Sequence, residues 1–325
     1  MKKAFFINGG AGRVLCAVPA LEYYKQNVDN DVIIVSEGWP ELFLSTSLRN
    51  NVYPVNHIKL FDLLKDRELI SPEPYRLNAY FNQRVNLIQA FDMLINGVDE
   101  TVESKKINLD LGKNDQIYGY NLINQIKMQF KKDKVIVFQP FGSGIKMEGN
   151  FIWDTSGRSF ELKDVFQIID ELSKDYGIIM MSNQKIPTDR QIQAAIPENT
   201  NLLQWMGIIK AADYFLGCDS VGQHYAHALG KPATVVIGST YPDNISYPFN
   251  KEFTIIDNGK EMRSYSPYRI TFDPIAERNN ENNMILSEDS HKKILKSIRD
   301  KLGVPKNVST LPVNQPFFTT KKSKG

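Results

Sequence analysis

The sequence predicts an α/β protein made of two doubly wound parallel-sheet domains in tandem, facing a shared cleft. Three observations carry that prediction. Residues 3–8 and 134–139 are continuous apolar runs, each readable as a buried parallel strand that opens a new sheet. Each run leads into a glycine-rich turn, Gly9-Gly10-Ala11-Gly12 in one case and Gly142-Ser143-Gly144 in the other. A chain of 325 residues also suffices for two domains of about 150 residues, each with its own core. The expected division is 1–133, with a helical insert, and 134–325, with a C-terminal helix and tail.

Taken in order, the first strand and turn run into a helical pattern through Leu15, Val18, Leu21 and Tyr24. A strand at 31–36 follows, which completes a βαβ unit. Residues 52–60 can add one more strand. Residues 61–130 read as mainly helical, above all 77–94, where apolar positions recur every three or four residues. Residues 127–133 read as a helix end plus linker. The second half alternates regularly, with helices expected at 161–174, 188–195, 206–212 and 222–229. Its strands are expected at 177–181, 201–203, 214–218 and 233–237. Residues 258–284 are polar and turn-rich, as a surface excursion would be. Residues 287–302 form a helix with Ser287 at its start, Gly303 just after it and Pro305 beyond.

Composition excludes several classes. With 42% hydrophobic and 23% charged residues, the chain is neither mostly disordered, collagenous nor a disulfide scaffold. Cys16 and Cys218 lie far apart without metal-like spacing, as expected in a reducing compartment. No apolar run approaches the roughly 18 residues of a membrane span. The stretch after Lys2-Lys3 stops at Asn8, too short for a signal peptide. The expectation is a soluble cytoplasmic protein. A net charge of +2 neither demands nor excludes nucleic acid. Acidic and basic side chains are equal in number up to Asp133. The basic run Lys321-Lys322-Ser323-Lys324 reads as a solvated tail.

Three motifs bear chemistry. Asn8-Gly9-Gly10-Ala11-Gly12-Arg13 lacks the last glycine and the acidic residue of a dinucleotide fingerprint. It is either a tight strand-to-helix turn or a place where a substrate approaches backbone amides at a helix start. Gly142-Ser143-Gly144-Ile145-Lys146 offers small residues, free amides and a flexible cation to a phosphate, or is a plain surface loop. Arg158 is placed to supply a second cation. The run Cys218 to Pro232 leaves a strand and enters a helix. Asp219 and Ser220 are candidate caps there, and the same helix end favours an anion. His224, one turn in, is either structural or a donor to a phosphate oxygen. No metal-ligand pattern is present.

Asp219-Ser220-(x)2-Gln223-His224-(x)-Ala226-(x)-Ala228-Leu229-Gly230-Lys231-Pro232, with Gly238-Ser239-Thr240 after it, resembles the heptosyltransferase family of GT-B glycosyltransferases. Gly9 through Leu21, with its Pro19-Ala20-Leu21, resembles that family's N-terminal glycine-rich segment. Phe138-Gln139-Pro140-Phe141-Gly142-Ser143 stands where the family has a strand and phosphate loop. Gln223 before His224, and Tyr241-Pro242-(x)4-Ser246-Tyr247-Pro248, look most like phage-encoded relatives.

The resemblance implies two Rossmann-like domains facing a cleft, and inverting transfer of a sugar from a nucleotide-sugar to a hydroxyl. The first domain would take the acceptor, with Gly9, Gly10, Ala11 and Gly12 as its loop. The second would take the nucleotide-sugar, a co-substrate, with no resident cofactor and no metal. Gly142, Ser143, Lys146 and the Asp219-Ser220-Val221-Gly222 helix end, with Arg158 and His224, would meet the diphosphate. Asn183, Gln184, Trp205 and Met206 are the candidates for the nucleoside. Two departures stand out. Val221 replaces a family glycine, with Gly222 one place later. Arg13 replaces the family's loop aspartate, its usual general base, and an arginine cannot take a proton at neutral pH. Glu37 and Asp92 are the alternative bases, and Arg13 is a candidate anion-binding residue.

For the acceptor, a phage-type relative points to 5-hydroxymethylcytosine in double-stranded DNA. Arg13, Lys59, Lys65, Arg67, Arg76 and Arg84 would contact its backbone. Tyr75, Tyr80 or Phe81 would receive a flipped base. The alternatives are a lipopolysaccharide or other glycan acceptor, a non-catalytic nucleotide-sugar-binding protein, or an epimerase or hydrolase on the same plan.

Overall fold

The computed structural model describes residues 2–148, 151–154, 156–182, 186, 188, 190–263 and 282–305. Its first part contains β1 (Lys3–Ile7), α1 (Ala11–Asn27), β2 (Ile33–Ser36), β3 (Val52–Pro54), α2 (Leu60–Leu64), β4 (Glu68–Ile70), α3 (Asn78–Phe81) and α4 (Leu87–Asn96). The four strands form a parallel sheet in the order β3-β2-β1-β4. After α5 (Lys113–Phe130) come β5 (Val135–Gln139), β6 (Ile145–Glu148), β7 (Phe151–Asp154), α6 (Leu162–Leu172), β8 (Gly177–Met180) and α7 (Leu202–Ala211). They are followed by β9 (Tyr214–Cys218), α8 (Val221–Ala228), β10 (Ala233–Ile237), α9 (Pro242–Ile245), β11 (Phe253–Asp257) and α10 (Glu288–Leu302). The second parallel sheet has the order β11-β10-β9-β5-β8, while β6 and β7 pair as a separate antiparallel hairpin.

Each sheet changes direction beside its first strand, at β1/β4 and at β5/β9. In open α/β sheets such a switch point leaves a crevice beyond the carboxyl ends of the strands. The Gly9–Gly12 loop and Glu73 follow β1 and β4; the Gly142 loop and Asp219 follow β5 and β9.

Strand alternation divides the cores. Ala4 turns to one face of the first sheet with Ile33 and Val35. Phe5 and Ile7 turn to the other, into an apolar cluster that continues through α1, α4, α5 and α7 to Val135, Val137 and Phe215 of the second sheet. The two sheets are therefore joined through one apolar core. Within it α5 packs closely across α7. A Cβ on Gly119 would stand 2.2 Å from the Gly207 carbonyl oxygen, so only glycine lets the two backbones touch. This helix, on the N-terminal side of residue 133, packs against α7, β5 and β8.

Several expectations need correction. The segment 61–130 is mainly helical as expected, but it also contains β4, which pairs with β1, and the helical pattern at 77–94 breaks after Phe81 and resumes at Leu87. Asn86 forms a capping box with Gln89 there, which starts a new helix. The expected strand at 201–203 is the first turn of α7, since Asn201 caps it through a second box with Gln204. The expected helix at 188–195 is absent among its described residues, where Ala195 instead bridges to Ile179. Helix α10 starts at its Ser287 cap and ends at Gly303 as expected.

Candidate functional site

The two switch points meet. A Cβ on Gly10 would stand 4.0 Å from Ser143 Oγ, and one on Gly12 would meet His224 Cδ2 at 2.8 Å and Val221 Cα at 3.7 Å. The first turn of α1 thus lies directly against the first turn of α8, and glycine at position 12 permits the approach. His224 is buried between them, with Nδ1 2.7 Å from the Tyr247 hydroxyl and 3.6 Å from Cys16 Sγ. Burial, with a smaller contribution from His227, pushes its pKa down to about 3, so the ring is neutral at physiological pH. Cys16 and Cys218 are buried free thiols, and burial raises both well above the usual thiol range.

On the second sheet the sequence builds a cradle for Arg158. Asp154, at the end of β7, accepts from Ser156 N–H at 2.7 Å and from Ser159 N–H at 3.0 Å, as well as from both hydroxyls. Ser159 Oγ in turn accepts the Gly142 N–H at 3.0 Å. Burial works to raise the Asp154 pKa, but these donors outweigh it and hold the carboxylate ionised. The loop turns at Gly157, in the left-handed region with φ +61°. Arg158 then points back: Nε donates to Ser156 Oγ at 3.0 Å and Nη1 lies 4.0 Å from Asp219 Oδ2. A Cβ on Gly142 would stand 3.9 Å from Arg158 Nη2. The Asp219 oxygens are engaged by Gln223 Nε2 and Thr240 Oγ1, both at 2.8 Å. Burial opposes the charge on Arg158, yet Asp219 and then Asp154 overcome it and raise its pKa. The guanidinium is a permanent cation with 26% of its side chain exposed.

The N-terminus of α8 is organised differently from expectation. Ser220 occupies the cap position, but neither its side chain nor that of Asp219 accepts from the helix amides. Gln139, ending β5, does so instead: its Oε1 accepts the Gly222 N–H at 2.9 Å and its Nε2 donates to Ser220 Oγ at 3.0 Å. A Cβ on Gly222 would stand 2.3 Å from that Oε1, which explains glycine there rather than at Val221.

Of the expected residues, the fold brings together Gly10, Gly12, Gly142, Ser143, Arg158, Asp219, Val221, Gly222 and His224. Gly9 lies beneath Arg13, and Ala11 is the first residue of α1. Lys146 is on the exposed β6–β7 hairpin, its ammonium 5.1 Å from the Trp153 ring centroid. Trp205 and Met206 are core residues of α7, fully enclosed, which removes them as nucleoside contacts. Asn183 and Gln184 lie outside the described residues.

The base candidates are corrected as well. Asp92 is buried, ion-paired to Lys105 and bonded to Asn96 Nδ2 at 2.7 Å, so it braces α4. Glu37 is exposed after β2. Arg13 is not an open anion site: its side chain is 4% exposed and its Nη1 and Nη2 hold Glu73 Oε1 and Oε2 at 3.0 and 3.4 Å. Nη2 also donates to the Pro72 carbonyl at 3.1 Å, and the rings of Tyr75 and Phe91 lie 5.0 and 5.7 Å from the guanidinium carbon.

Sequence reasoning missed Glu73, Gln139, Asp154 and Tyr247. Asp154-Thr155-Ser156-Gly157 is legible as a side-chain-to-backbone turn, and Gln139 as a polar end to an apolar strand. Glu73, between Pro72 and Pro74, carries no local signal. Among the described residues no group of three or more His, Cys, Asp or Glu is placed to hold a metal ion. No described helix is long and apolar enough to cross a membrane.

No family model matches the sequence, and no curated protein matches it. Solved structures do match the fold. ADP-heptose lipopolysaccharide heptosyltransferase II of E. coli superposes with a TM-score of 0.62 at 12% identity, over 92% of this chain and 98% of its own. A glycosyltransferase of family 9 from Veillonella parvula gives 0.61 at 10% identity, over 91% and 96%. TibC, a dodecameric iron-containing glycosyltransferase of enterotoxigenic E. coli, gives 0.56 at 13% identity, over 92% and 77%. At such identities the likeness is one of fold: the chain has the GT-B architecture of the heptosyltransferases.

Proposed function

We propose that the protein is an inverting glycosyltransferase that moves a sugar from a nucleotide-sugar donor to an acceptor hydroxyl in a cleft between the two sheets. The observation that carries this reading is Arg158, a partly exposed permanent cation at the second switch point, beside the Gly142-Ser143 loop whose Ser143 neighbours the first sheet's glycine turn. A departing nucleoside diphosphate gains negative charge, and a preorganised guanidinium stabilises charge as it develops. The likeness to solved sugar transferases supports the same reading. His224 holds the two helix starts together as a neutral ring, and Lys146 reaches the donor only by moving off Trp153.

The acceptor we propose is a glycan hydroxyl. Of the cations expected to meet a DNA backbone, Arg13 is buried on Glu73, Arg67 is paired with Asp31 and Arg84 with Glu100, whereas Lys59 and Lys65 are exposed. A flipped base would need open rings, yet Tyr80 is buried and packs edge-on against Tyr75, with centroids 5.6 Å apart.

The test is a thermal-shift panel of UDP, ADP, GDP and CMP with their sugar conjugates, followed by mass spectrometry of glycans and of hydroxymethylcytosine DNA incubated with any hit. A stabilising nucleotide and a sugar mass gain on a glycan are expected. A gain on DNA alone would move the acceptor, and the absence of any nucleotide hit would remove the transferase reading.

A further inference from the structure

We infer that Glu73 is the carboxylate that takes the acceptor proton and that Arg13 is its positioning residue; the inference rests on the transferase reading above. Inverting displacement needs a base on the acceptor side, across the anomeric carbon from the departing diphosphate. Two carboxylates follow directly on the strands of the first sheet: Glu37 after β2 and, a few residues on from β4, Glu73. Glu73 stands at the β1/β4 switch point, and Glu37 does not. On the second sheet, Asp154 and Asp219 already accept hydrogen bonds on both oxygens and flank the cation that faces the donor.

Glu73 is held in a single orientation. Oε1 accepts from Arg13 Nη1 at 3.0 Å and from Tyr75 N–H at 3.3 Å, while Oε2 has the longer 3.4 Å contact to Nη2. Oε2 is thus the less committed oxygen, on a side chain 24% exposed. Arg13 is itself wedged between two rings. It packs over Gly9, where a Cβ would meet its Cδ at 2.8 Å; Gly9, at φ +95°, leaves that room. The segment after Glu73 is stapled to the other half of the chain by Asn244, whose Nδ2 donates to the carbonyls of Tyr80 and Val85 at 2.9 and 3.0 Å. Arg13, which holds Glu73, follows Gly12, and Gly12 lies against His224 and Val221 of α8, so Glu73 belongs to the junction of the two helix starts.

In the proposed step the acceptor O–H proton passes to Glu73 Oε2 and the oxygen lone pair forms the bond to the anomeric carbon. The bond from that carbon to the diphosphate oxygen breaks, and its electron pair leaves on the diphosphate, opposite Arg158. Proton, nucleophile and leaving group all balance without another reactant.

The experiment compares wild type, Glu73→Gln, Glu73→Asp and Glu37→Gln with the nucleotide sugar and the glycan acceptor found by the panel. Nucleoside diphosphate release is followed from pH 5 to 9, and the thermal shift with the free nucleotide is recorded alongside. Glu73→Gln is expected to keep the nucleotide shift and lose about 100-fold or more of turnover. Glu73→Asp keeps part of the rate. Wild-type turnover in Glu73→Gln, or loss confined to Glu37→Gln, overturns the assignment while leaving the transferase reading standing. If Glu73→Gln fails to fold, Glu73→Asp decides, and an unchanged rate there overturns the assignment. A wild-type chain that binds no nucleotide, or binds it without release, overturns the transferase reading itself.

Discussion

Arg13 and Arg158 stand at matching places, each near the point where its sheet changes direction and each beside a carboxylate. Arg13 is enclosed and forked onto both oxygens of Glu73, so its charge is spent inside the protein. Arg158 is held by the Ser156 hydroxyl and stays 4.0 Å from Asp219, whose own oxygens are taken by Gln223 and Thr240. The same residue type is a fixture in one half and an available cation in the other. What decides is whether the neighbouring carboxylate has other donors to satisfy it. The first half thereby presents a carboxylate to the junction and the second a guanidinium, the polarity that transfer from an anionic leaving group to a neutral hydroxyl requires.

The comparison breaks most sharply at Arg13. Arg13→Ala removes a buried ion pair and the packing of two rings, with an expected cost of about 3 kcal/mol read by urea unfolding. A loss below about 1 kcal/mol would show the pair to be ornamental. Arg158→Ala tests the other side. Its stability should change by less than about 1 kcal/mol, while nucleotide affinity, measured by calorimetry, falls by roughly tenfold to a hundredfold, as for one charge-assisted hydrogen bond. Unaltered affinity would leave Arg158 as a second structural arginine.

A pH-dependent effect comes from His224, which lies between the two halves. Its folded pKa of about 3 is below the unfolded value, so the unfolded chain binds the extra proton between about pH 3 and 6.5. Stability is therefore present above that window and declines as pH falls through it, by at most about 1.4 kcal/mol per pH unit. His227, lowered to about 4 mainly by burial, acts in the same direction. His224→Gln should flatten the fall in Tm between pH 6.5 and 4; an equally steep fall in the variant would assign it to other groups.

Much of the scaffold was legible along the chain. The strands at 214–218 and 233–237 were located to the residue because buried parallel strands are uninterrupted apolar runs. The insert was not: β4 is three residues long, and its membership in the sheet comes from pairing with β1 rather than from any pattern of its own. The resemblance alone offers Trp205 and Met206 for a nucleoside, but the local segment is helix α7 and both side chains are buried in the core.

By itself the sequence determined the two-sheet plan, the glycine turns after the opening strands, and the entry of α8 with its His224. These follow from local periodicity, from residues with unusual backbone freedom and from the order of apolar runs. Only the tertiary structure decided that Gln139 rather than Asp219 caps α8, and that Arg13 meets a carboxylate 60 residues away. It likewise decided that Arg158 keeps its charge in reach of the junction. Those outcomes depend on which side chains the two switch points bring within hydrogen-bond distance, and that distance is a property of the folded sheets with no counterpart in spacing along the chain.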